Sequence, residues 1–389
     1  FWVARMLMMG NYFRKNTPFH KVYVHALVRD EKGQKMSKSK GNVIDPLDLI
    51  NEYGADSLRF TLISMASPGR DVKLSKDRVT GNRNFITKIW SANNFLKLNN
   101  CKLDKKINLT SIKLPINHWI YNEFIKTQNL ITKNIEIFRF DEAARYAYQF
   151  VWHSYCDWYL EFLKPIFNSK NKSEIKEAKA FSSFMMANIL RILHPFIPFF
   201  TEKLWSLNAY KKIFNNFLIC SSWPNFKIIN KFSKNQNNIN DLIEIISNIR
   251  STKAELKITP KLYCDIFFDD KSGKLKKLVN KNINLIKQVG RVNNVLTTKI
   301  RDKNSIDILV LKEKLSLNFN EDVNLGSQKE RILQKIETIN KQITSLNNKL
   351  KNKAYVTNAP KEIVQNDKNL VKELTIEDGK LRSIVSSIN

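Results

Sequence analysis

The C-terminal end of the chain carries a heptad repeat, which restricts its fold more than any other feature of the sequence. Apolar residues from Ile332 to Leu350 follow one another at steps of four, three, four, three and four positions. A second apolar series runs from Ile363 to Ile388, with two acidic residues interrupting it. Two helices with such stripes can bury them against each other. Because a short proline-containing segment joins the series, we predict an antiparallel coiled-coil hairpin over 326–389. The pattern alone also fits a packing or dimerisation device.

The middle of the chain, residues 80–225, is rich in aromatic residues and has the pattern of helices. One predicted helix begins with Asp141 as its cap and ends at Pro165. Another is broken at Pro195 and Pro198. Both are apolar over much of their circumference, so we expect them to be mostly buried. These patterns predict a helix bundle.

Residues 226–325 divide into two parts. The segment 226–238 is rich in lysine and asparagine and is predicted to be a linker. Helix and strand patterns then alternate as far as about residue 320, which predicts a small α/β module.

Residues 1–79 alternate between strand and helix patterns. The segment 21–28, "KVYVHALV", is predicted to be a buried strand, and a lysine-rich loop over 31–42 follows it. A helix should then start at an Asp45 cap and stop at Gly54. The loop therefore lies at the end of a strand, where open α/β sheets bind their ligands. With the other segments, this predicts a multidomain protein of α/β and all-α parts.

The chain is strongly basic, with 65 Lys and Arg residues against 36 Asp and Glu residues and a formal charge of +29. One interpretation is a polyanionic partner, such as nucleic acid or nucleotide. The other is a compositional habit, because lysine, asparagine and isoleucine are abundant throughout. The sequence has no cysteine pattern of a zinc or redox site and no apolar run long enough to cross a bilayer. Isolated thiols fit a reducing cytoplasm.

The loop "EKGQKMSKSKGN" has the composition of a phosphate-binding segment. Lysine supplies a compact charge on a flexible stem, while glycine and serine allow close backbone approach and donate hydrogen bonds. Most lysine-rich loops, however, are simply solvated. The motif "KMSKS" (35–39), followed by "KGNVIDP", resembles the second signature of class I aminoacyl-tRNA synthetases. Further segments resemble the valyl-tRNA synthetase family within that class; they are "FWVARMLMMG", "ASPGRDVKLS", "RNFITKIW", "CDWYLE", "HPFIPFFTEKLW" and "YVTNAPKEIV".

The resemblance implies four parts. They are the C-terminal part of a Rossmann-like catalytic domain over 1–79, a helical anticodon-binding domain over 80–225, a linker and small α/β module over 226–325, and a tRNA-binding coiled-coil arm over 326–389. It also implies activation of valine by ATP, which Mg²⁺ accompanies, and transfer of valine to tRNA(Val). The expected form is a cytoplasmic monomer.

The resemblance also assigns candidate site residues. Lys38 would stabilise the charge that develops on the phosphates as pyrophosphate leaves, and Lys35 would assist. Met36, Ser37 and Ser39 complete the ATP-binding loop. Trp2 is a candidate for the amino-acid pocket or, alternatively, a core residue. No metal-ligating cluster is expected.

Two family features are missing from this sequence. They are the His-x-Gly-His signature and the editing domain, so we expect this chain to be the C-terminal portion of an enzyme and to be inactive alone. Two alternatives remain open at this point. One is a stand-alone tRNA-binding protein without catalysis, and the other is a relative of the isoleucyl-tRNA synthetases.

A catalytic role for the cluster of His153, Cys156 and Asp157 is rejected. These residues lie at helical spacing, and a structural His153–Asp157 hydrogen bond inside the bundle explains them better.

Overall fold

The computed structural model describes residues 1–104, 107–269, 273–296, 305–319, 325–352, 355 and 361–387. The chain folds as two compact units, Phe1–Ser233 and Lys234–Asn389. The finer division into four domains remains a prediction.

The first unit is mainly helical and contains a small parallel sheet. Strand β1 (Val28–Arg29) pairs with strand β2 (Val72–Lys73), with Val28 opposite Val72. A π-helical segment covers Phe150–Tyr159. The α-helices are α1 (Trp2–Arg14), α2 (Pro46–Tyr53), α3 (Ala55–Met65), α4 (Lys76–Leu98), α5 (Pro115–Glu136), α6 (Phe140–Gln149), α7 (Leu160–Phe167), α8 (Lys172–Leu193), α9 (Pro198–Leu207) and α10 (Tyr210–Phe214).

The predicted buried strand over 21–28 is mostly wrong. Within it the structure forms a strand only at Val28, and several of its apolar side chains are exposed, including Val24 at 81% and Leu27 at 62%. A strand needs a hydrogen-bonded neighbour along its length, and β2 supplies two residues of pairing. The apolar pattern was therefore present without the partner that a buried strand requires.

Helix α1 is apolar but has no buried residue. Trp2, Met6, Met9 and Phe13 follow one another at helical spacing, and each is at least half exposed. This stripe is a large exposed apolar surface of the first unit.

Helices α2 and α3 follow the lysine-rich loop as predicted. Asp45 caps α2 by accepting a hydrogen bond from the Leu47 N–H at 2.8 Å, and Gly54 ends it with φ of +88°. The two helices bury a small apolar cluster next to the loop; its fully buried members are Leu49, Leu58, Leu74 and Val79.

The helix bundle differs from the prediction at both ends of one helix. Helix α6 begins at Phe140, and Asp141 lies in its first turn without capping it. The Asp141 carboxylate instead accepts hydrogen bonds from the Arg139 guanidinium and from the Ser67 hydroxyl. Pro165 lies inside the last turns of α7 rather than ending the helix. The aromatic core of the bundle is nevertheless buried, as expected.

The His153–Asp157 hydrogen bond is present at 3.2 Å, but it is not inside the bundle. The His153 side chain is 62% exposed, because it lies on the outer face of the π-helical segment. Asp157 also accepts a hydrogen bond from Lys88 Nζ at 2.6 Å. His153, Asp157 and Lys88 therefore form a hydrogen-bonded network at the surface, whereas Cys156 is buried.

The predicted linker over 226–238 is largely helical. Helix α11 begins at Asn230 and continues to Glu255. Phe232, within this segment, is fully buried and stacks on the His118 ring with centroids 3.8 Å apart. The polar segment is thus the first part of a longer helix, whose later residues such as Ile239 and Leu242 are also buried.

The second unit contains a four-stranded sheet in the order β4-β3-β6-β5. β3 runs parallel to β4, and the other neighbours are antiparallel. Strand β4 was not predicted, and one predicted helix is interrupted at Asn282. The elements are α11, β3 (Cys264–Asp269), α12 (Lys274–Lys281), α13 (Ile283–Gly290), β4 (Val292–Leu296), β5 (Ser305–Val310), β6 (Glu313–Phe319), α14 (Leu325–Lys351) and α15 (Lys361–Ser387).

Helices α14 and α15 pack against each other as the predicted hairpin. The seam residues Ile332, Ile336 and Ile339 are at most 6% exposed. Leu370, expected on the seam, is 42% exposed.

The two acidic interruptions of the second series each have a partner in the hairpin. Glu377 pairs with Lys335 at 2.6 Å, and Asp367 accepts a hydrogen bond from the Tyr355 hydroxyl at 2.7 Å. In the part of the chain that the structure describes, no helix is both long and apolar enough to cross a bilayer.

Candidate functional site

The lysine-rich loop connects the end of β1 to the start of α2. Two glycines with positive φ allow its turns, Gly33 at +79° and Gly41 at +65°. A Cβ atom at Gly33 would also lie 3.1 Å from the Lys73 side chain of β2, so close approach reinforces the need for glycine there. The backbone is tightest at the signature itself, where Lys38–Lys40 form a turn of 3-10 helix.

Two side chains outside the signature hold this loop. The Asn42 amide accepts a hydrogen bond from the Ser37 N–H at 2.9 Å and donates to the Lys35 carbonyl at 3.2 Å. The same amide donates to Asp30 Oδ2 at 2.8 Å, and Asp30 Oδ1 accepts the Gln34 N–H at 2.6 Å. The hydrogen bond from Asn42, followed by that from Gln34, holds the pKa of Asp30 below its usual value.

Met36 gives the loop an apolar anchor. Its side chain is half-buried against the cluster of Leu49, Leu58, Leu74 and Val79. The signature is thus fixed at Met36 by packing and on either side of Met36 by the bonds to Asn42.

The structure brings several predicted site residues together. The Ser37 and Ser39 hydroxyls lie 3.2 Å apart, and the Lys35 side chain is exposed. Lys38 belongs to the 3-10 turn, but its side chain lies outside the description. The loop therefore presents a lysine and two hydroxyls to solvent from an ordered backbone.

Trp2 lies on α1, where its side chain is 75% exposed. The Arg5 guanidinium lies over its ring at 4.7 Å from the centroid. Trp2 is therefore not packed in a core of this chain. A role in the amino-acid pocket stays a prediction.

A basic groove of about 710 Å³ forms a second candidate site in the first unit. It lies beside the start of α8, whose N-terminus adds positive potential. Lys179, which lines the groove, has its Nζ 6.0 Å from the Phe167 ring, which stacks on Phe95 at 5.9 Å; neither ring lines the groove itself. Lysines next to stacked aromatic rings are typical of single-stranded RNA contacts. The lysines that line the groove are Lys102, Lys172, Lys176 and Lys179.

The hairpin has many lysines outside its apolar seam, but they are only partly available. Lys335 and Lys341 pair with glutamates of the hairpin, Lys341 with Glu337 at 2.7 Å. Lys349 and Lys351, near the tip, are exposed, and Lys353 lies outside the described residues. The remaining candidate, Lys329, lies at the other end of α14.

Among the described residues, no group of three or more His, Cys, Asp or Glu side chains could hold a metal ion.

Three family models match separate parts of the chain. Residues 1–75 match the class I tRNA synthetases for isoleucine, leucine, methionine and valine. Residues 117–268 match the anticodon-binding domain of tRNA ligases. Residues 324–389 match the tRNA-binding arm of valyl-tRNA synthetases, which is the hairpin. The matched order agrees with the resemblance seen in the sequence.

Curated relatives decide between the synthetases. A valine–tRNA ligase of Pelagibacter ubique is 46% identical over 95% of this chain and 42% of its own length. The chain belongs to the valyl-tRNA synthetase family. Valine–tRNA ligases of Mesorhizobium japonicum and Rhizobium meliloti are 39% and 38% identical, over 98% and 100% of this chain and 41% and 42% of their own lengths. The isoleucine alternative is not favoured.

The chain thus spans about two fifths of the length of the valyl-tRNA synthetases that it matches. A solved leucyl-tRNA synthetase complex from Agrobacterium radiobacter K84 matches 73% of this chain and 32% of that chain. Its identity of 16% and TM-score of 0.45 are too low to support an argument.

Asp30 and Asn42 are the residues that sequence reasoning missed. Asp30 directly precedes the lysine-rich loop and Asn42 is its last residue, but neither belongs to the five-residue signature. Their signal is an Asp at a strand end and an Asn after glycine, since both side chains bond readily to nearby backbone.

Proposed function

We propose that the protein to which this chain belongs is a valine–tRNA ligase, and that this chain supplies its phosphate-contacting loop and tRNA-binding surfaces. The main support is the ordered "KMSKS" loop at the end of β1, in a chain 46% identical to a valine–tRNA ligase. In the first step, a carboxylate oxygen of valine attacks the α-phosphorus of ATP. The bond from that phosphorus to the bridging oxygen breaks, and pyrophosphate leaves.

The loop's contribution would be electrostatic. Negative charge builds on the leaving phosphates, and the ammonium groups of Lys35 and Lys38 would neutralise it. A charge-assisted hydrogen bond contributes about 1.5–3 kcal/mol. Two such bonds that strengthen only in the transition state correspond to a rate factor on the order of 10²–10⁴. The Ser37 and Ser39 hydroxyls can donate to the same phosphates.

ATP enters as a substrate, and Mg²⁺ would enter with it. Because the described residues hold no carboxylate cluster, the phosphate oxygens themselves would be the principal ligands. Trp2 is proposed to contact the valine side chain, for which an indole face is a suitable apolar surface.

In the second step, a ribose hydroxyl at the end of tRNA(Val) attacks the valyl carbonyl carbon, and AMP leaves. The basic groove beside α8 and the exposed lysines of the hairpin would hold the tRNA backbone. Stacked aromatics such as Phe95 and Phe167 suit the unstacked bases of a loop. A monomer in the cytoplasm is the proposed state.

The experiment is Lys38→Ala in the full-length protein, measured by valine-dependent ATP–pyrophosphate exchange and by tRNA binding. We expect exchange to fall by about 10²-fold or more, with tRNA affinity changed by less than about 2-fold. Lys126→Ala is the control, because this exposed lysine pairs with Glu123 away from the loop. Equal losses in exchange and in tRNA affinity would contradict the proposal, since they would assign the loop to RNA.

A further inference from the structure

The signature loop is cross-braced by two side chains that the proposed chemistry does not use. Asn42 bonds to three partners that are separated along the chain, namely Asp30 at the end of β1, the Lys35 carbonyl and the Ser37 N–H. Asp30 in turn accepts the Gln34 N–H. The two side chains thereby connect the two ends of the loop to each other and to its middle.

The hydrogen bonds of Asn42 hold the backbone next to the two signature lysines. Lys35 and Ser37 flank Met36, and Lys38 follows directly. With Met36 packed on the apolar cluster, the backbone that carries both ammonium groups is fixed on a rigid base. A lysine side chain is long and flexible, so its reach is set mainly by where its Cα atom is held.

We propose that Asn42, braced by Asp30, is the positioning residue of the signature loop. It acts through the backbone of Lys35 and Ser37 and itself need touch neither ATP nor valine. The inference rests on the proposed function for its kinetic consequence, but the brace itself can be tested without any ligand.

Only an amide fits at position 42. Asn42 accepts from one partner and donates to two others, which neither a carboxylate nor an alkyl group can do. An aspartate there would set its carboxylate against that of Asp30. The Asp30 carboxylate, by contrast, only accepts hydrogen bonds, from the Asn42 side chain and the Gln34 N–H.

These roles make an exchange of the two residues informative. In the double variant Asp30→Asn/Asn42→Asp, the new amide at position 30 can donate to the new carboxylate at position 42. The Gln34 and Ser37 N–H groups keep acceptors in that arrangement. Only the bond to the Lys35 carbonyl is lost, so most of the brace should be restored.

The first measurement is the rate at which trypsin cleaves the loop after its lysines in the full-length protein. We expect Asn42→Ala and each single exchange to speed cleavage by about 10-fold, because loop opening is then easier. The double exchange should return cleavage to within about 3-fold of the wild-type rate. Asn51→Ala, at an exposed asparagine on α2, should leave the rate unchanged.

The second measurement is ATP–pyrophosphate exchange. Asn42→Ala should lower kcat by about 10–100-fold, because displaced loop lysines would stabilise the transition state less well. The KM for valine should change by less than about 2-fold. The double exchange should recover most of kcat.

The proposed bracing role would be contradicted if Asn42→Ala were cleaved at the wild-type rate. It would also be contradicted if the double variant were cleaved as fast as the single variants. Faster cleavage with normal exchange would overturn the positioning role. Normal exchange in Lys38→Ala would instead count against the proposed function.

Discussion

At the scale of single residues, one buried carboxylate in the bundle accepts hydrogen bonds from both a charged and a neutral donor. Asp141 is 6% exposed, and burial alone would raise its pKa. The hydrogen bonds from Arg139 and Ser67 outweigh burial and bring the pKa of Asp141 to about 2. Because Ser67 follows α3 and Asp141 belongs to α6, this carboxylate also ties two distant segments together.

Asp141→Asn should destabilise the first unit in a pH-dependent way. The folded pKa lies below the ordinary value of 3.8, so the contribution is complete above that value and is lost as pH falls through 2. We expect a loss on the order of 2 kcal/mol near neutral pH, shrinking to roughly half near pH 3. Urea unfolding followed by tryptophan fluorescence measures it. All seven tryptophans lie within Phe1–Ser233, so the signal reports on this unit.

The comparison variant is Ser67→Ala, which removes one neutral donor and should cost less than Asp141→Asn. A loss for Asp141→Asn that stays the same between neutral pH and pH 3 would contradict the assigned role of the carboxylate.

Sequence could identify the signature lysines and serines, because their motif is contiguous. It could not identify what Asp141 does. An Asp at the start of a helix is typical of a cap, whereas one of its two actual donors, Ser67, is 74 positions away. The Asp30–Asn42 bond, spanning 12 positions across a loop, was missed for the same reason.

At the scale of elements, one aromatic ring of α4 packs against several neighbouring elements at once. Phe85 is fully buried, and its centroid lies 5.2 Å from that of Phe60 on α3. On the other side it meets Tyr148 at 4.7 Å and Trp152 at 6.4 Å. Phe85 thereby packs α4 against both α3 and the π-helical segment.

Phe85→Ala should cost about 3–5 kcal/mol, because removal of a fully buried ring leaves a cavity among rings that cannot collapse into it. The first-unit unfolding transition measures this loss as well. Phe199→Ala, at a ring that is 67% exposed, should stay within about 0.5 kcal/mol of wild type. Similar losses for the two variants would argue against a shared aromatic core.

Element predictions succeeded where the local signals were complete and failed where a partner decided the outcome. Asp45, Pro46 and Gly54 set the bounds of α2 by chemistry contained in the segment itself. The segment 21–28 had the composition of a strand without a neighbour of matching length. The segment 226–238 had the composition of a linker, but it became part of a helix that buries Phe232.

At the scale of the whole molecule, the excess of positive charge has a local explanation in part. Lysines gather in the signature loop, in the groove beside α8 and near the tip of the hairpin. Many others, such as Lys126 and Lys164, form exposed ion pairs on helices. The ion-paired lysines do not need a polyanionic partner to explain them, whereas for the clustered lysines such a partner stays a prediction.

Deletion of residues 327–389 should weaken tRNA binding and reduce its dependence on salt. Each lost phosphate contact lowers the slope of log affinity against log salt by about 0.7–0.9. Because the deletion also removes the helix that packs against β5, Lys349→Gln/Lys351→Gln provides a milder variant. We expect it to lower the slope by about 1–2.

The matched control is Lys126→Gln/Lys164→Gln, which removes the same charge from paired, exposed lysines of the bundle. Filter binding at several salt concentrations gives the slopes. Identical slopes for the tip variant and for the control would exclude the hairpin from the interface.

The exposed apolar stripe along α1 affects the solubility of the isolated polypeptide. Exposure of the Trp2, Met9 and Phe13 side chains to water is unfavourable, because together they form a continuous apolar surface. At the concentrations used for purification, copies of the chain should stick to one another or to column matrices.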